Sequence, residues 1–154
     1  MHIELYTDGA SRGNPGPGGY GIVLKYRDKI KEMSAGYKLT TNNRMELLAV
    51  IVGLEAIKWD YMNVKVVTDS MYIVNSVNKG WLFNWEKTNF KNKKNPDLWK
   101  RFLKVYRKHH VELFWVKGHS THPMNNRCDA LATQAADGAH LLSDEVFEQE
   151  YYNK

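Results

Sequence analysis

The chain has very little of what small proteins use to cross-link or anchor themselves. Cys128 is the single cysteine among 154 residues, which excludes an intramolecular disulfide and any Cys-x-x-Cys zinc or redox site. The longest apolar run, residues 47–54, has eight residues with its glycine included, far below the roughly 20 that span a membrane. The N-terminus also lacks the charged and apolar regions of a secretory signal. We therefore expect a single-domain cytoplasmic protein, long enough to bury a core without cross-links.

Positive charge exceeds negative charge, and the excess is concentrated in one segment. The formal net charge is +5, whereas residues 79–108 alone carry +8, from ten basic and two acidic side chains. Aromatic residues are interleaved with these cations, which suits a nucleic-acid surface because cations contact phosphates and rings contact sugars or bases. A solvated helix face with its own core aromatics explains the composition equally well. Residues 137–154, in contrast, carry −4.

Periodicity and turn residues predict an α/β fold. Three early strands followed by alternating helices and strands indicate a mixed five-stranded sheet, in which three antiparallel N-terminal strands are joined by parallel strands, with helices on both faces. The stretch 9–19, rich in glycine and proline, predicts a loop. The predicted strands are 2–8, 20–27, 30–38, 64–68 and 111–116, and the predicted helices are 43–59, 70–78, 97–109 and 126–136.

Two predicted strands end in the same way, with Thr-Asp at Asp8 and at Asp69. If these strands are parallel neighbours, their carboxyl ends meet at the edge of the sheet where α/β proteins place ligands. Each acid also has a structural explanation, because aspartate is a common turn former and Asp69 would cap the helix that follows.

Two further acids lie on predicted helices. Glu46 shares a helix face with apolar residues, where a carboxylate is costly unless it is paired or binds a metal, but an Asn43-x-x-Glu46 capping box would explain it equally well. Asp129 falls in the first turn of the last helix, where an acid complements the helix dipole. Upstream of it, His119 and His122 lie in a predicted loop and are candidates for proton transfer, because histidine is the usual acid–base residue near neutral pH, although a loop histidine is more often simply exposed.

Two competing motifs are set aside. The Gly-x-Gly-x-x-Gly pattern of residues 16–21 matches a dinucleotide-binding fingerprint, but it leads into a predicted strand instead of a helix. Cys128 stands beside Asp129 on a helix, where their side chains diverge by roughly 100°, so we interpret it as a small buried residue and not as a nucleophile.

A series of short motifs resembles the type 1 ribonuclease H family of bacterial single-domain enzymes. Each motif alone is modest, but they occur in the family's order and cover residues 1–137. The motifs are TDG (7–9), GNPGPGGYG (13–21), TTNNRMEL (40–47), TDS (68–70), DLW (97–99), WVKGH (115–119) and NRCD (126–129).

The resemblance implies an endoribonuclease that hydrolyses the RNA strand of RNA–DNA hybrids and leaves 5′-phosphate and 3′-hydroxyl ends. It implies two Mg²⁺ ions per site, for which Mn²⁺ would substitute, and a catalytic histidine, His119. It further implies a monomer, with a catalytic domain over 1–137 and an acidic tail over 138–154. The carboxylates it assigns to catalysis and to metal binding are Asp8, Glu46, Asp69 and Asp129.

Substrate contacts follow from the same resemblance and from the basic segment. Asn14, Thr41, Asn42 and Asn43 match the positions at which the family contacts the hybrid. The chain departs from the family at Met71, where an amide side chain is common, and in a basic protrusion that is several residues shorter. The substrate-binding residues predicted in that protrusion are Trp81, Trp85, Lys87, Phe90, Lys91, Lys93 and Lys94.

Two other functions remain compatible with the sequence. A non-catalytic module that binds hybrids or double strands would have the same fold, but the loss of a carboxylate would favour it and all four are present. A related metal nuclease or integrase domain is disfavoured by Asn14 and the Asn42–Asn43 pair.

Overall fold

A computed structural model describes residues 2–118 and 122–153. The helices and strands alternate much as the sequence predicts. The strands are β1 (His2–Ser11), β2 (Gly16–Tyr26), β3 (Lys29–Thr40), β4 (Asn63–Thr68), β5 (His110–Trp115) and β6 (Leu141–Leu142). The helices are α1 (Asn42–Glu55), α2 (Met71–Asn78), α3 (Trp81–Lys87), α4 (Pro96–Tyr106), α5 (Pro123–Ala136) and α6 (Glu145–Tyr152). None of these helices is both long enough and apolar enough to cross a membrane.

The strands form one mixed sheet in the order β5-β4-β1-β2-β3-β6. Strands β1, β2 and β3 are antiparallel neighbours, whereas β4 runs parallel to β1 and β5 runs parallel to β4. The predicted fold class is therefore confirmed. The sixth strand is an addition: β6 is only two residues long and pairs in parallel with Gly36 and Tyr37 of β3, too short for a periodic pattern to reveal.

Helices cover both faces of the sheet because its central strands are apolar on both sides. Leu5 belongs to the larger core, which α1, α2 and α4 close with residues such as Trp99 and Phe102. Its neighbour Tyr6 points to the opposite face and packs in a smaller core with Cys128 of α5. Successive side chains of a strand alternate between faces, so β1 serves both layers.

The predicted loop over 9–19 is mostly strand. Gly9 pairs with Tyr20 and Ser11 with Gly18, so only residues 12–15 connect β1 to β2. The glycines serve helix packing here: a Cβ on Gly19 would lie 2.5 Å from the carbonyl oxygen of Ala132 in α5. The loop was predicted because glycine frees the backbone. In this stretch glycine instead permits the close approach of a helix.

Helix starts differ from the sequence expectations in three places. The N-cap of α1 is Thr41, whose hydroxyl accepts a hydrogen bond from the amide of Arg44, so the predicted Asn43–Glu46 capping box is wrong. Ser70, and not Asp69, caps α2. Helix α5 begins at Pro123, which leaves Asp129 in its second turn and beyond the first-turn position that was predicted. Each difference removes a structural explanation for one acidic residue: the capping box for Glu46, the helix cap for Asp69 and the first-turn position for Asp129.

Arg44 joins three parts of the chain at a buried point. Its guanidinium donates to both carboxylate oxygens of Asp144 at 2.7 and 2.8 Å and to both oxygens of Asp97 at 3.0 and 2.8 Å. Thr40 donates a further hydrogen bond to Asp144. The Arg44 side chain is only 4% exposed. The acidic C-terminal segment is thereby held against α1 and α4.

Removal of Asp144 is expected to destabilise the fold. Asp144→Ala leaves a buried guanidinium with only part of its charge compensated, a change that costs about 3 kcal/mol of unfolding free energy. Asp137→Ala is the matched control, because Asp137 also binds an arginine through two hydrogen bonds, to Arg12, but on the surface, where such pairs contribute little. Urea unfolding of both variants measures the difference, and equal losses would contradict this account.

Candidate active site

The parallel pairing of β1 and β4 brings two acids together at the centre of the sheet. Tyr6 lies opposite Val67, so Asp8 and Asp69, each two residues further along, end up side by side. Asp8 is buried within β1, and Asp69 follows the last residue of β4. The arrangement matches the sequence expectation that the two Thr-Asp motifs meet at one edge.

Glu46 reaches this pair because α1 lies almost directly on β1. At the contact, a Cβ on Gly9 would come 2.8 Å from the Cα of Glu46, so only glycine admits the helix at this distance. Glu46 is 5% exposed. One carboxylate oxygen from each of Asp8, Glu46 and Asp69 lies within 4.8 Å of the other two.

Asp129 stands next to this cluster. It is half-buried on α5 and interacts with Asp8 through a side-chain hydrogen bond and through its charge. Among the residues that the structure describes, the group of mutually close ligand atoms comprises Asp8, Glu46 and Asp69 and does not extend to Asp129. The four predicted carboxylates therefore form a tight group of three with the fourth at its rim.

Burial and mutual repulsion raise the pKa values of Asp8 and Glu46. The pKa of Asp8 is raised to about 8: burial and then the charge of Asp69 are the largest causes, a hydrogen bond with Glu46 opposes them, and Asp129 adds to the rise. Burial is also the main cause that raises the pKa of Glu46 well above its usual range, and the charges of Asp8 and Asp69 add to it. A divalent cation would remove the repulsion that causes part of both shifts.

The donor set fits a hard divalent cation. All three clustered side chains offer carboxylate oxygens, which are the ligands that Mg²⁺ prefers. Glu46 Oε2 is buried and has no hydrogen-bond partner within the part of the chain that the structure describes, an arrangement that is costly in a protein interior. A cation bound between Glu46 and its neighbours would satisfy that oxygen.

Asp69 is held in place from the strand beside it. Trp115, at the end of β5, donates a hydrogen bond from Nε1 to the backbone carbonyl of Asp69 at 3.0 Å. Gly118 lies so close that a Cβ there would come 2.6 Å from Asp69 Oδ2. Gly118 therefore lies directly beside this carboxylate, and a larger residue at this position would require the Asp69 side chain to shift.

The two candidate histidines differ in what the structure says of them. His119 lies outside the described residues, so its predicted catalytic role stays a prediction. His122 is the N-cap residue of α5, and its ring centroid lies 5.4 Å from that of Tyr6. His122 therefore lies beside the sheet, at the start of the helix that carries Asp129.

The predicted hybrid-contacting residues line one groove. Its volume is about 520 Å³, and it is bordered by Asn14, by Thr41–Asn43 and by Lys93 and Lys94. Asn14 Oδ1 accepts a hydrogen bond from the amide of Asn42 at 3.1 Å, which fixes the two loops to each other. Six predicted substrate-binding residues, from three separate parts of the chain, are thereby brought to one surface.

The first half of the basic segment folds into α3, a helix that the sequence pattern does not predict, and a turn that leads to α4. Trp85 packs edge-on against Trp99 with ring centroids 6.0 Å apart. Lys93 Nζ lies 5.4 Å from the centre of the Trp85 ring. Trp81 is 42% exposed, whereas Phe90 is 4% exposed and belongs to the core. The four predicted lysines of the segment, Lys87, Lys91, Lys93 and Lys94, are exposed.

Sequence reasoning missed several residues that border the groove. Arg44 and Asn95 are two of them, although an arginine in a largely apolar helix is itself a signal of a buried partner. Phe147, Glu150 and Tyr151 also line the groove. They belong to α6, which was treated as part of an acidic tail of uncertain order.

Comparisons with known proteins agree with this fold and site. The model of the RNase H family matches residues 1–137. The ribonuclease H of Desulforamulus reducens is 54% identical over 147 residues, which covers 92% of both chains. The chain therefore belongs to the RNase H family, and the resemblance inferred from its motifs is confirmed.

Solved structures place it beside type 1 enzymes. LC9-RNase H1, described as a type 1 RNase H with the type 2 active-site motif, is 31% identical with a TM-score of 0.82, covering 96% of this chain and 80% of its own. LC11-RNase H1, solved in complex with an RNA/DNA hybrid, is 30% identical with a TM-score of 0.66, covering 88% of this chain and 96% of its own.

The raised pKa of Asp8 predicts how stability depends on pH without metal. Between the usual aspartate pKa and about pH 8, the unfolded chain has lost a proton that folded Asp8 still holds, so the unfolding free energy falls as pH rises through that range. Asp8→Asn removes the penalty and is expected to stabilise the apoprotein by at least about 1 kcal/mol at pH 8. Thermal unfolding from pH 5 to 9 in EDTA measures this.

The control for that experiment is an exposed acid. Asp60→Asn changes the same charge on the surface and should leave the pH profile as in the wild type. Added Mg²⁺ should stabilise the wild type and Asp60→Asn, but Asp8→Asn much less. An Asp8→Asn profile parallel to the wild type would contradict the assignment of the shift to the buried cluster.

Proposed function

We propose that the chain is a divalent-metal-dependent endoribonuclease that hydrolyses the RNA strand of RNA–DNA hybrids and leaves 5′-phosphate and 3′-hydroxyl ends. The observation that carries the proposal is the buried cluster of Asp8, Glu46 and Asp69, with an oxygen of Glu46 that has no protein partner among the described residues. Family membership supplies the substrate class, and the carboxylates supply the means of catalysis.

In the proposed mechanism the four carboxylates hold the metal. Asp8, Glu46 and Asp69 provide the inner oxygens, and Asp129 binds from the rim. Two bound Mg²⁺ ions would supply activation of the attacking water and stabilisation of the leaving alkoxide. Trp115 and Gly118 keep Asp69 in position through the contacts described above. His119, one residue beyond Gly118, moves a proton or assists departure of the product.

Recognition of the RNA strand is assigned to the groove beside the carboxylates. Free 2′-hydroxyl groups distinguish RNA from DNA, and they both donate and accept hydrogen bonds. Amide side chains do the same, so Asn14, Asn42 and Asn43 are suited to read them. Thr41 both caps α1 and borders this groove.

Attachment of the duplex is assigned to the basic segment. Its exposed lysines contact phosphates, and Trp81 and Trp85 support the segment, in part as core. Because Phe90 is buried, we propose that it contributes to substrate binding only by holding the turn that presents Lys91, Lys93 and Lys94.

Three further expectations stay predictions. They are a cytoplasmic location, a monomeric state, and the division of the chain into a catalytic domain over 1–137 and a tail over 138–154. Substitution of Mn²⁺ for Mg²⁺ is part of the proposal and is tested below.

Asp69→Asn is expected to abolish cleavage but preserve binding. The loss of a metal ligand removes several kcal/mol of stabilisation, which corresponds to a fall in kcat of at least about 10³-fold, whereas the shape of the groove is kept. Labelled RNA–DNA hybrid, double-stranded RNA and double-stranded DNA are incubated with wild type and variant in Mg²⁺, Mn²⁺ or EDTA. We expect only the RNA strand of the hybrid to be cut, and only with metal.

The same assay separates the alternatives. Asp60→Asn, an exposed acid outside the cluster, serves as the control and should cleave as the wild type does. A wild type that binds hybrid tightly but never cuts it would be a binding module. Near-normal turnover in Asp69→Asn would show that the carboxylate assignment is wrong.

Changing Lys87, Lys91, Lys93 and Lys94 together to Ala tests the basic segment. A plot of the logarithm of the binding constant against the logarithm of the salt concentration loses about 0.9 of slope for each lost phosphate contact. We therefore expect this slope to flatten by about two to four units. KM should rise more than kcat falls, because the lost contacts bind the substrate and the transition state equally well. Hybrid binding and steady-state kinetics from 50 to 300 mM salt measure both effects.

The control removes the same charge from the other end of the sheet. Lys25, Lys29 and Lys31 lie around the β2–β3 turn, and Lys58 follows the C-terminal end of α1, whereas the groove lies at the opposite ends of these elements. Changing these four to Ala should leave the salt slope nearly intact. Equal slopes in both variants would mean that the basic segment is only a solvated surface.

A further inference from the structure

The C-terminal segment beyond the family match is fixed beside the substrate groove. Strand β6 pairs with Gly36 and Tyr37 of β3. Two residues later, Asp144 is buried and accepts hydrogen bonds from Arg44 and Thr40. Both donors adjoin Thr41–Asn43, which line the groove. Helix α6 therefore starts from an anchored residue next to the proposed hybrid-contacting loop.

One face of α6 is turned toward the groove. Phe147 packs over the guanidinium of Arg44, with 5.9 Å between the cation and the ring centre. Its ring stacks on Tyr151 at 6.0 Å, with 24° between the planes. Residues three and four apart share a helix face, so Glu150 accompanies this aromatic pair, and all three line the groove.

The groove is bordered by groups of different chemistry. Lys93 and Lys94 line it, and so do the carboxylate of Glu150 and the ring of Tyr151, which is 41% exposed. A strand of nucleic acid that places its phosphates on the lysines would turn sugar or base faces toward the ring. The carboxylate would stand close to the same phosphates and repel them.

We propose that α6 is a wall of the nucleic-acid groove, in which Tyr151 contacts the bound strand and Glu150 weakens its binding. This inference rests on the proposed function, because it takes the hybrid as the occupant. It assigns a substrate-binding role to a segment that neither the family match nor the motif series includes. The two residues act in opposite directions, so each can be tested separately.

The experiment compares two pairs of matched variants on the full-length protein. Glu150→Gln is paired with Glu145→Gln, which removes an equal charge from the same helix, and Tyr151→Ala is paired with Tyr152→Ala, which removes a neighbouring ring that is 70% exposed. Neither control residue lines the groove. Binding of a labelled hybrid is measured by fluorescence anisotropy in EDTA, so that no cleavage occurs, at 50 and 300 mM salt.

We expect Glu150→Gln to tighten binding about threefold or more at 50 mM salt, with a smaller gain at 300 mM because salt screens the repulsion. Tyr151→Ala should weaken binding about tenfold, in line with the loss of one stacking contact, at both salt concentrations. The control variants should stay within about twofold of the wild type, and thermal unfolding should show all four variants folded.

The outcomes separate this inference from the function on which it rests. If each groove variant behaves like its control while the wild type still binds and cleaves the hybrid, α6 is not part of the groove and the proposed function stands. If the wild type binds no hybrid in this assay and cuts none when Mg²⁺ is added, both are wrong. Tighter binding by Glu150→Gln and weaker binding by Tyr151→Ala, relative to their controls, would support the proposal that α6 is a wall of the nucleic-acid groove.

Discussion

Mutual repulsion of buried carboxylates is the constraint around which the rest of the structure is arranged. Asp8, Glu46 and Asp69 crowd oxygens into a few ångströms of protein interior, where charge is poorly screened. The close packing of the backbone brings these groups together: Gly9 allows α1 to lie against β1, and Gly118 lies beside the Asp69 carboxylate. A cluster that is unfavourable in the apoprotein would, for the same reason, be stabilised by a bound divalent cation.

Arg44 is a buried positive charge on the same helix as Glu46. It stands two residues from Glu46, yet its hydrogen bonds go to Asp97 and Asp144 and away from the cluster. Burial alone would raise the pKa of Asp97, but hydrogen bonds and charge from Arg44 outweigh it and lower that pKa. Helix α1 therefore carries a buried cation that is paired within the protein and, two residues further on, a buried carboxyl group whose pKa is raised.

The same arginine connects the helix that carries Glu46 with the groove of Asn14, Thr41–Asn43, Lys93 and Lys94. Through Asp144 it fixes the start of α6, and through Asp97 and Asn95 it fixes the start of α4, next to Lys93 and Lys94. The walls of the groove thus come from segments far apart in sequence and meet because one buried cation satisfies all of them. Exposed pairs such as Arg12 with Asp137 have no comparable role, since solvent competes for both partners.

The sequence by itself determined the alternating pattern of strands and helices, the mixed sheet and the identity of the four acids, because periodicity and short motifs are local properties. It predicted a loop at 9–19, which was wrong because local signals cannot tell a glycine that frees the backbone from one that admits a helix. It left a capping box as one of two explanations for Glu46, and the structure excludes it because Thr41 caps α1. Only the tertiary structure decided that three acids cluster while Asp129 stays at the rim, that Phe90 is buried, and that α6 borders the groove. Those outcomes depend on strand register and on side chains distant in sequence, and no local pattern encodes them.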